Sequence, residues 1–108
     1  MQNDAPHYAP VAASDCADMG ALRAAIDELD RHLVALLAVR QTYMERAAQL
    51  KPRRELVRDE ARVEEVVSRV VAEAARVGLS PAIAEPVWRT LIERCIAHEL
   101  EAFDRRAL

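Results

Sequence analysis

The 108-residue sequence has few aromatic residues, two glycines and one lysine. Apolar residues make up 52% of the chain, but only one Phe, one Trp and two Tyr provide large surfaces. A core built from one copy is therefore thin, and we expect burial against a partner. Apolar and polar residues do not alternate between hairpin turns anywhere in the sequence, so strands are not predicted. We expect an all-α chain.

Other absences limit the expected ligands and location. The net charge is −3 and no block of Lys or Arg resembles a nucleic-acid-binding arm, so nucleic acid is not an expected partner. Cys16 and Cys95 lie far apart and form no CxxC pair, which predicts free thiols and no metal site. No run approaches the roughly 18 apolar residues of a membrane span, and no signal-peptide pattern is present. The sequence predicts a cytoplasmic protein that does not bind membranes.

The N-terminal segment differs from the rest of the chain. Residues 1–15 include Pro6 and Pro10 and show neither a helical nor a strand period. They are predicted to form a disordered tail. The domain is then expected to span residues 16–106.

A long first helix is indicated by apolar residues at spacings of mostly four and three: Leu22, Ile26, Leu29, Leu33, Leu36, Tyr43, Ala47 and Leu50. Asp15 or Asp18 can cap its start, and Pro52 ends it after Leu50. At 1.5 Å per residue the helix is about 50 Å long, whereas a compact 100-residue domain has a radius of gyration near 13 Å. The apolar stripe therefore needs cover, and a second antiparallel copy is the simplest source. We predict interlocked helical bundles in a homodimer.

Two further helices follow an arginine-rich loop at residues 52–58. The second is marked by Val63, Val66, Val67, Val70, Val71, Ala74 and Val77 and stops at Gly78. The third begins at Ser80 and Pro81 and continues towards Arg106, with apolar residues Trp88, Leu91, Ile92, Cys95, Ile96 and Phe103. Pro86 conflicts with this helix, and predicts either a kink or a single turn that restarts at Glu85.

Three charged residues interrupt these apolar patterns. Arg40 occupies a position of the first stripe between Leu36 and Tyr43, and Glu99 continues the stripe of Trp88, Ile92 and Cys95 on the third helix. Lys51 follows Arg40 by almost three turns and so shares nearly the same face. A buried charge requires an opposite charge, which makes all three candidate site residues. Alternatively, Arg40 extends to solvent, Lys51 interacts with the helix dipole, and Glu99 pairs with an arginine of the bundle.

Weaker signals concern three more residues. Arg62 starts the second helix, and Asp59 is available as its cap or partner; we include both among the candidate substrate-binding residues. Arg23 lies about 25 Å from Arg40 along the first helix, too far to share a site within one chain. In an antiparallel dimer, Arg23 of one copy can approach Arg40 of the other.

These residues together resemble the all-α chorismate mutase family, which is related to isochorismate pyruvate lyase. The resemblance rests on LRAAIDELDRHLVALLAVRQ, the helix that ends at Lys51, RDEARVEEV, and a Trp-x-x-Leu-Ile helix that carries Glu99. It covers roughly residues 16–103. It implies an interlocked dimer of three-helix chains, two active sites built from both chains, and no cofactor.

The resemblance also implies residue roles. Arg40 and, from the partner subunit, Arg23 would bind the two carboxylates of chorismate. Lys51 would bind a carboxylate and the ether oxygen, and Arg62 would position the groups on the ring side. Glu99 occupies the place of a residue that is usually Gln, and must be protonated to donate to the ether oxygen.

Alternatives to a mutase stay open at this point. Val63 stands where many mutases have a Glu that binds the ring hydroxyl, and a Val here also suits the lyase, which forms salicylate from isochorismate. A non-catalytic helical dimer is the third alternative. It predicts that Arg40, Lys51 and Arg62 pair with acids of their own bundle, whereas an enzyme predicts a pocket lined by cations.

Overall fold

The structure, a computed structural model, describes residues 7–106. It contains three α-helices, α1 (Met19–Leu50), α2 (Glu60–Val77) and α3 (Pro81–Arg106), and single 3-10 turns at Ala13–Asp15 and Arg54–Leu56. No strand occurs within residues 7–106. The predicted all-α fold with a long first helix is confirmed. Of the helices described, none is both long and apolar enough to cross a membrane.

The predicted tail is described only in part. Residues 1–6 lie outside the described residues, and residues 7–15 contain only the first 3-10 turn. The ring of Tyr8 stacks on that of His32, with the ring centroids 3.6 Å apart. Disorder of residues 1–15 stays a prediction.

Both ends of α1 lie where the sequence indicates. The carboxylate of Asp18 accepts a hydrogen bond from the Ala21 N–H at 2.8 Å and so caps the start. At the other end, the Lys51 N–H still donates to the Ala47 carbonyl at 3.0 Å. Pro52 then disfavours helical backbone at Lys51 and has no N–H with which to continue the helix.

The connection between α2 and α3 also follows its sequence signals. Gly78 has a φ of 84°, a left-handed conformation that glycine adopts without the steric cost of a Cβ atom. The N–H groups of Gly78 and Leu79 both donate to the Ala74 carbonyl, which closes α2. The Ser80 hydroxyl accepts a hydrogen bond from the Ala82 N–H at 3.2 Å and caps α3.

Pro86 is accommodated within a continuous helix. Helix α3 runs from Pro81 to Arg106 with Pro86 inside it, so the predicted restart at Glu85 is wrong. The physical reason is that Pro86 lies near the start of the helix, where its missing N–H removes one hydrogen bond to the Ala82 carbonyl. The alternative of a bend at Pro86 stays a prediction.

The chain divides into two units, residues 1–40 and 41–108. The first unit contains residues 19–40 of α1, and none of its described residues is buried. Its apolar stripe is exposed: Ile26, Leu29, Leu33 and Leu36 retain between 38% and 65% of their accessible surface. A single copy therefore gives this part of α1 no apolar core.

The second unit holds the core. Its centre consists of Val57, Val67, Ile92 and Ile96. Six partly buried side chains pack around them, namely Val63, Val66, Val71, Trp88, Leu100 and Phe103. Helix α3 packs against both α2 and the 3-10 turn at Arg54–Leu56. The core therefore fixes the position of α3 from two sides.

Candidate active site

An ion pair joins Lys51, just after α1, to Glu99 on α3. The Lys51 ammonium donates to Glu99 Oε2 at 2.7 Å and to the Val57 carbonyl at 3.4 Å. Glu99 retains only 4% of its accessible surface, whereas the Lys51 side chain retains 29%. The acid is therefore buried and the cation reaches solvent, where a ligand can meet it.

The apolar stripe of α3 places Glu99 in this buried position. Ile92 and Ile96 lie on the same stripe and belong to the core. Glu99 follows Ile96 by three residues, close to one helical turn, and so points to the same side. The prediction of a carboxyl group on an apolar face is confirmed by its burial.

The role that the resemblance gives Glu99 at the ether oxygen stays a prediction. Glu99 accepts from the Lys51 ammonium, as a carboxylate does, whereas donation to an ether oxygen requires a protonated acid.

The start of α2 brings Asp59 and Arg62 together. The Asp59 carboxylate accepts from the Arg62 N–H at 3.0 Å and caps the helix. The Arg62 guanidinium pairs with Glu65, one turn further on. Val63 points towards the core cluster and packs against it. Substrate binding by Asp59 and Arg62 stays a prediction.

The three arginines of the loop at residues 52–58 all pair with carboxylates. Arg54 binds Asp104 through two hydrogen bonds of 2.8 and 3.2 Å, and Arg58 binds Glu93 through two of 3.0 and 2.6 Å. Arg53, the third arginine, pairs with Glu55. These guanidinium groups hold the pKa values of Asp104 and Glu93 below the usual range. The loop is thereby tied to α3 at two points.

Arg23 and Arg40 belong to the first unit, on α1. Arg40 is half-buried, and Arg23 is exposed. The binding of substrate carboxylates by these two residues stays a prediction.

The sequence did not indicate two contacts that α3 makes with the last turns of α1. His98 Nε2 lies 2.7 Å from Glu45 Oε2, and this hydrogen bond, followed by one from Gln41, holds the pKa of Glu45 below its usual range. Arg106 donates to the backbone carbonyls at the end of α1. Each contact joins residues more than 50 positions apart, so the spacing along one helix carried no signal for it.

Within residues 7–106, no group of three or more His, Cys, Asp or Glu side chains is arranged to hold an ion. Cys16 and Cys95 form no disulfide, as the sequence predicts.

The Lys51 and Glu99 pair leads to a prediction about stability. Lys51→Met leaves Glu99 buried without its cation, and we expect a loss of about 3 kcal/mol in the free energy of unfolding. This is the lower end for a buried pair, because the Lys51 side chain is 29% exposed. The double variant Lys51→Met with Glu99→Leu removes both charges and should recover most of this loss. Urea denaturation followed by circular dichroism measures both.

The control for this experiment is Arg53→Met, which removes a cation from an exposed pair with Glu55. It should cost less than about 1 kcal/mol. If Lys51→Met is no more harmful than Arg53→Met, the buried pair does not have the energetic role inferred from its geometry.

A known protein family matches most of the chain. The family described as chorismate mutase type II matches residues 22–100, which include every candidate site residue from Arg23 to Glu99. No curated protein matches the chain in sequence. Because the family match covers well over half of the sequence, this chain belongs to the chorismate mutase type II family.

Proposed function

We propose that this protein catalyses the rearrangement of chorismate to prephenate. The observation that carries the proposal is the Lys51 ammonium, held 2.7 Å from the buried Glu99 carboxylate in a chain of the chorismate mutase type II family. Lys51 and Glu99 are the residues that the resemblance assigns to the ether oxygen. Negative charge grows on that oxygen as the C–O bond breaks.

Substrate positioning is the first requirement of this reaction, which is intramolecular and needs neither a nucleophile nor an obligatory proton transfer. Binding both carboxylates holds the enolpyruvyl arm over the ring in a reactive conformer, which lowers the barrier by several kcal/mol. We assign the two carboxylates to Arg40 and to Arg23 of the partner subunit. This assignment rests on family membership. Asp59 and Arg62 are proposed to contact the ring side of the substrate.

Electrostatic stabilisation by Lys51 is the second requirement. Its ammonium is oriented by Glu99 and the Val57 carbonyl and is still partly open to solvent. A cation that is oriented before the substrate arrives loses little freedom when charge develops beside it. Because the interaction strengthens as the C–O bond breaks, it lowers the barrier more than it tightens substrate binding.

Glu99 takes part after a change of protonation. When the substrate shares the Lys51 ammonium, the buried Glu99 carboxylate is less fully compensated, and a buried charge without full compensation is costly. We therefore propose that Glu99 accompanies the bound substrate as a neutral acid. In that form it donates a second hydrogen bond to the ether oxygen.

The proposed protonation of Glu99 makes the rate depend on pH. We expect kcat to rise as the pH falls, because only the protonated form of Glu99 donates to the ether oxygen. Glu99→Gln has a permanent N–H donor and should flatten this dependence, whereas Glu101→Gln, an exposed residue on the same helix, should keep it. Measuring kcat across pH for all three proteins tests this. A Glu99→Gln profile like that of wild type removes Glu99 from the ether-oxygen role.

A second candidate reaction is the elimination of pyruvate from isochorismate, which leaves salicylate. The observation in its favour is Val63, which packs against the core where many mutases have the Glu that binds the ring hydroxyl. A non-catalytic role is favoured by the pairing of Lys51 and Arg62 with glutamates of the same chain. The mutase, the lyase and the non-catalytic role predict prephenate, salicylate and no product, respectively.

Parallel incubation with chorismate and isochorismate distinguishes these functions. We expect prephenate from chorismate, and we expect Arg40→Ala to lower kcat/KM by at least about 100-fold with unchanged helicity, since it removes a carboxylate contact. Product chromatography and circular dichroism provide the two measurements. Salicylate from isochorismate without prephenate establishes the lyase, and no product from either substrate favours the non-catalytic role.

We also propose that the protein acts as a homodimer. The exposed stripe of Ile26, Leu29, Leu33 and Leu36 on α1 supports this, because each of these side chains still has between 38% and 65% of its surface to bury. Complete burial of a fully exposed side chain of this kind yields about 1.5–3 kcal/mol. An antiparallel second copy presents the same stripe and gives self-complementary contacts. In that arrangement each active site takes Arg40 from one chain and Arg23 from the other.

Mixing two inactive variants tests the shared site. Arg23→Ala and Arg40→Ala should each be nearly inactive alone. After the two are unfolded together and refolded, half of the dimers are mixed, and each mixed dimer has one intact site. Activity should therefore recover to about a quarter of wild type. Absence of recovery, with mixed dimers verified by differential tagging, would place both arginines in the site of one chain or in none.

A further inference from the structure

The carbonyl end of α1 lacks the groups that usually close a helix. The last four carbonyls of a helix have no partner within it, and a following glycine or a basic residue in the last turn often compensates. Helix α1 has no basic residue in its last turn and is followed by Lys51 and Pro52. Pro52 has no N–H to donate back to these carbonyls.

Arg106, at the end of α3, supplies the missing donors. Its Nη1 donates to the carbonyls of Ala48 and Lys51, each at 2.7 Å, and of Gln49 at 3.1 Å. Because Nη1 carries two hydrogens for three acceptors, at least one hydrogen is shared. The positive charge also lies at the negative end of the α1 dipole.

The guanidinium group of Arg106 is itself held in place. Its central carbon lies 3.8 Å from the centroid of the Phe103 ring, and Phe103 packs against the core cluster. Stacking on an aromatic ring stabilises a guanidinium and restricts its orientation. The group that closes α1 is therefore anchored to the core of the second unit.

Lys51 is consequently held at two points by one face of α3. Its carbonyl accepts from Arg106, and its ammonium donates to Glu99. Glu99, Phe103 and Arg106 are spaced by four and three residues, which places them on one side of the helix. The adjacent Pro52 restricts the backbone of Lys51 further.

We propose that Arg106 is a positioning residue for Lys51. By holding the carbonyls at the end of α1, it sets where the Lys51 ammonium lies relative to Glu99 and to the reacting ether oxygen. The catalytic part of this inference rests on the proposed function of Lys51. Small displacements of a positioned group lower rates strongly, so the loss of Arg106 is expected to act mainly on kcat.

Kinetics of three variants test the catalytic part. At a temperature well below the Tm of every protein, Arg106→Ala should lower kcat for chorismate at least about tenfold, with a smaller change in KM. Arg106→Lys keeps a charged donor and should recover part of this loss. Arg105→Ala is the matched control, because Arg105 is the neighbouring arginine and its contact with Glu101, at 3.9 Å, is long and exposed. It should behave as wild type.

A second measurement observes Lys51 without using activity. Since Lys51 is the only lysine in the chain, isotopically labelled lysine provides one side-chain NMR signal that reports on this residue alone. In wild type and Arg105→Ala the signal should be that of an ammonium bound to a carboxylate. In Arg106→Ala it should move towards the signal of free lysine. Arg106→Lys is left out of this measurement because it introduces a second lysine.

The outcomes separate this inference from the proposed function. If Arg106→Ala leaves the Lys51 signal unchanged while the protein is folded, Arg106 does not position Lys51, whatever happens to the rate. If the signal moves but kcat stays at the wild-type value, the catalytic part is wrong. If wild type converts neither chorismate nor isochorismate, the proposed function fails, and the NMR signal still decides whether Arg106 positions Lys51.

Discussion

The packing of α3 against α2 and the preceding loop is the constraint on which the candidate site depends. Ile92 and Ile96 are buried there, and burial of each such side chain contributes about 1.5–3 kcal/mol. This apolar packing takes Glu99, one turn further on, out of water together with them. A buried carboxylate requires a cation, and the single lysine of the chain supplies it. The position of the polar group is thus a consequence of apolar burial.

Two kinds of ion pair have different uses in this protein. The exposed pairs that join Arg54 and Arg58 to α3 add little to the free energy of unfolding. Each is formed through two hydrogen bonds, however, so they orient the loop that supplies the Val57 carbonyl to Lys51. The buried Glu99 acts differently, because its partner is partly open to solvent. A ligand can therefore compete for that cation without opening the core.

The helices were predictable from the sequence because their signals are local. Asp18, Gly78 and Ser80 act on neighbouring backbone groups, and the burial of Glu99 follows from the period of its own helix. The hydrogen bonds from Arg106 to the carbonyls at the end of α1 were not predictable. Periodicity indicates which side of a helix is buried, but it does not indicate which distant backbone groups that side contacts. The restart before Pro86 was predicted wrongly because one lost hydrogen bond early in a helix is a smaller cost than a broken helix.

The continuity of α3 through Pro86 has a consequence for tolerance to mutation. The core residues of α3 and the two residues that contact Lys51, Glu99 and Arg106, belong to one uninterrupted helix. A substitution that tilts or shifts α3 moves Glu99 and Arg106 together, so the distance between these two contacts of Lys51 changes little. Substitutions among the aliphatic core residues of α3 can then occur while Glu99 and Arg106, the two groups that contact Lys51, keep their relative positions.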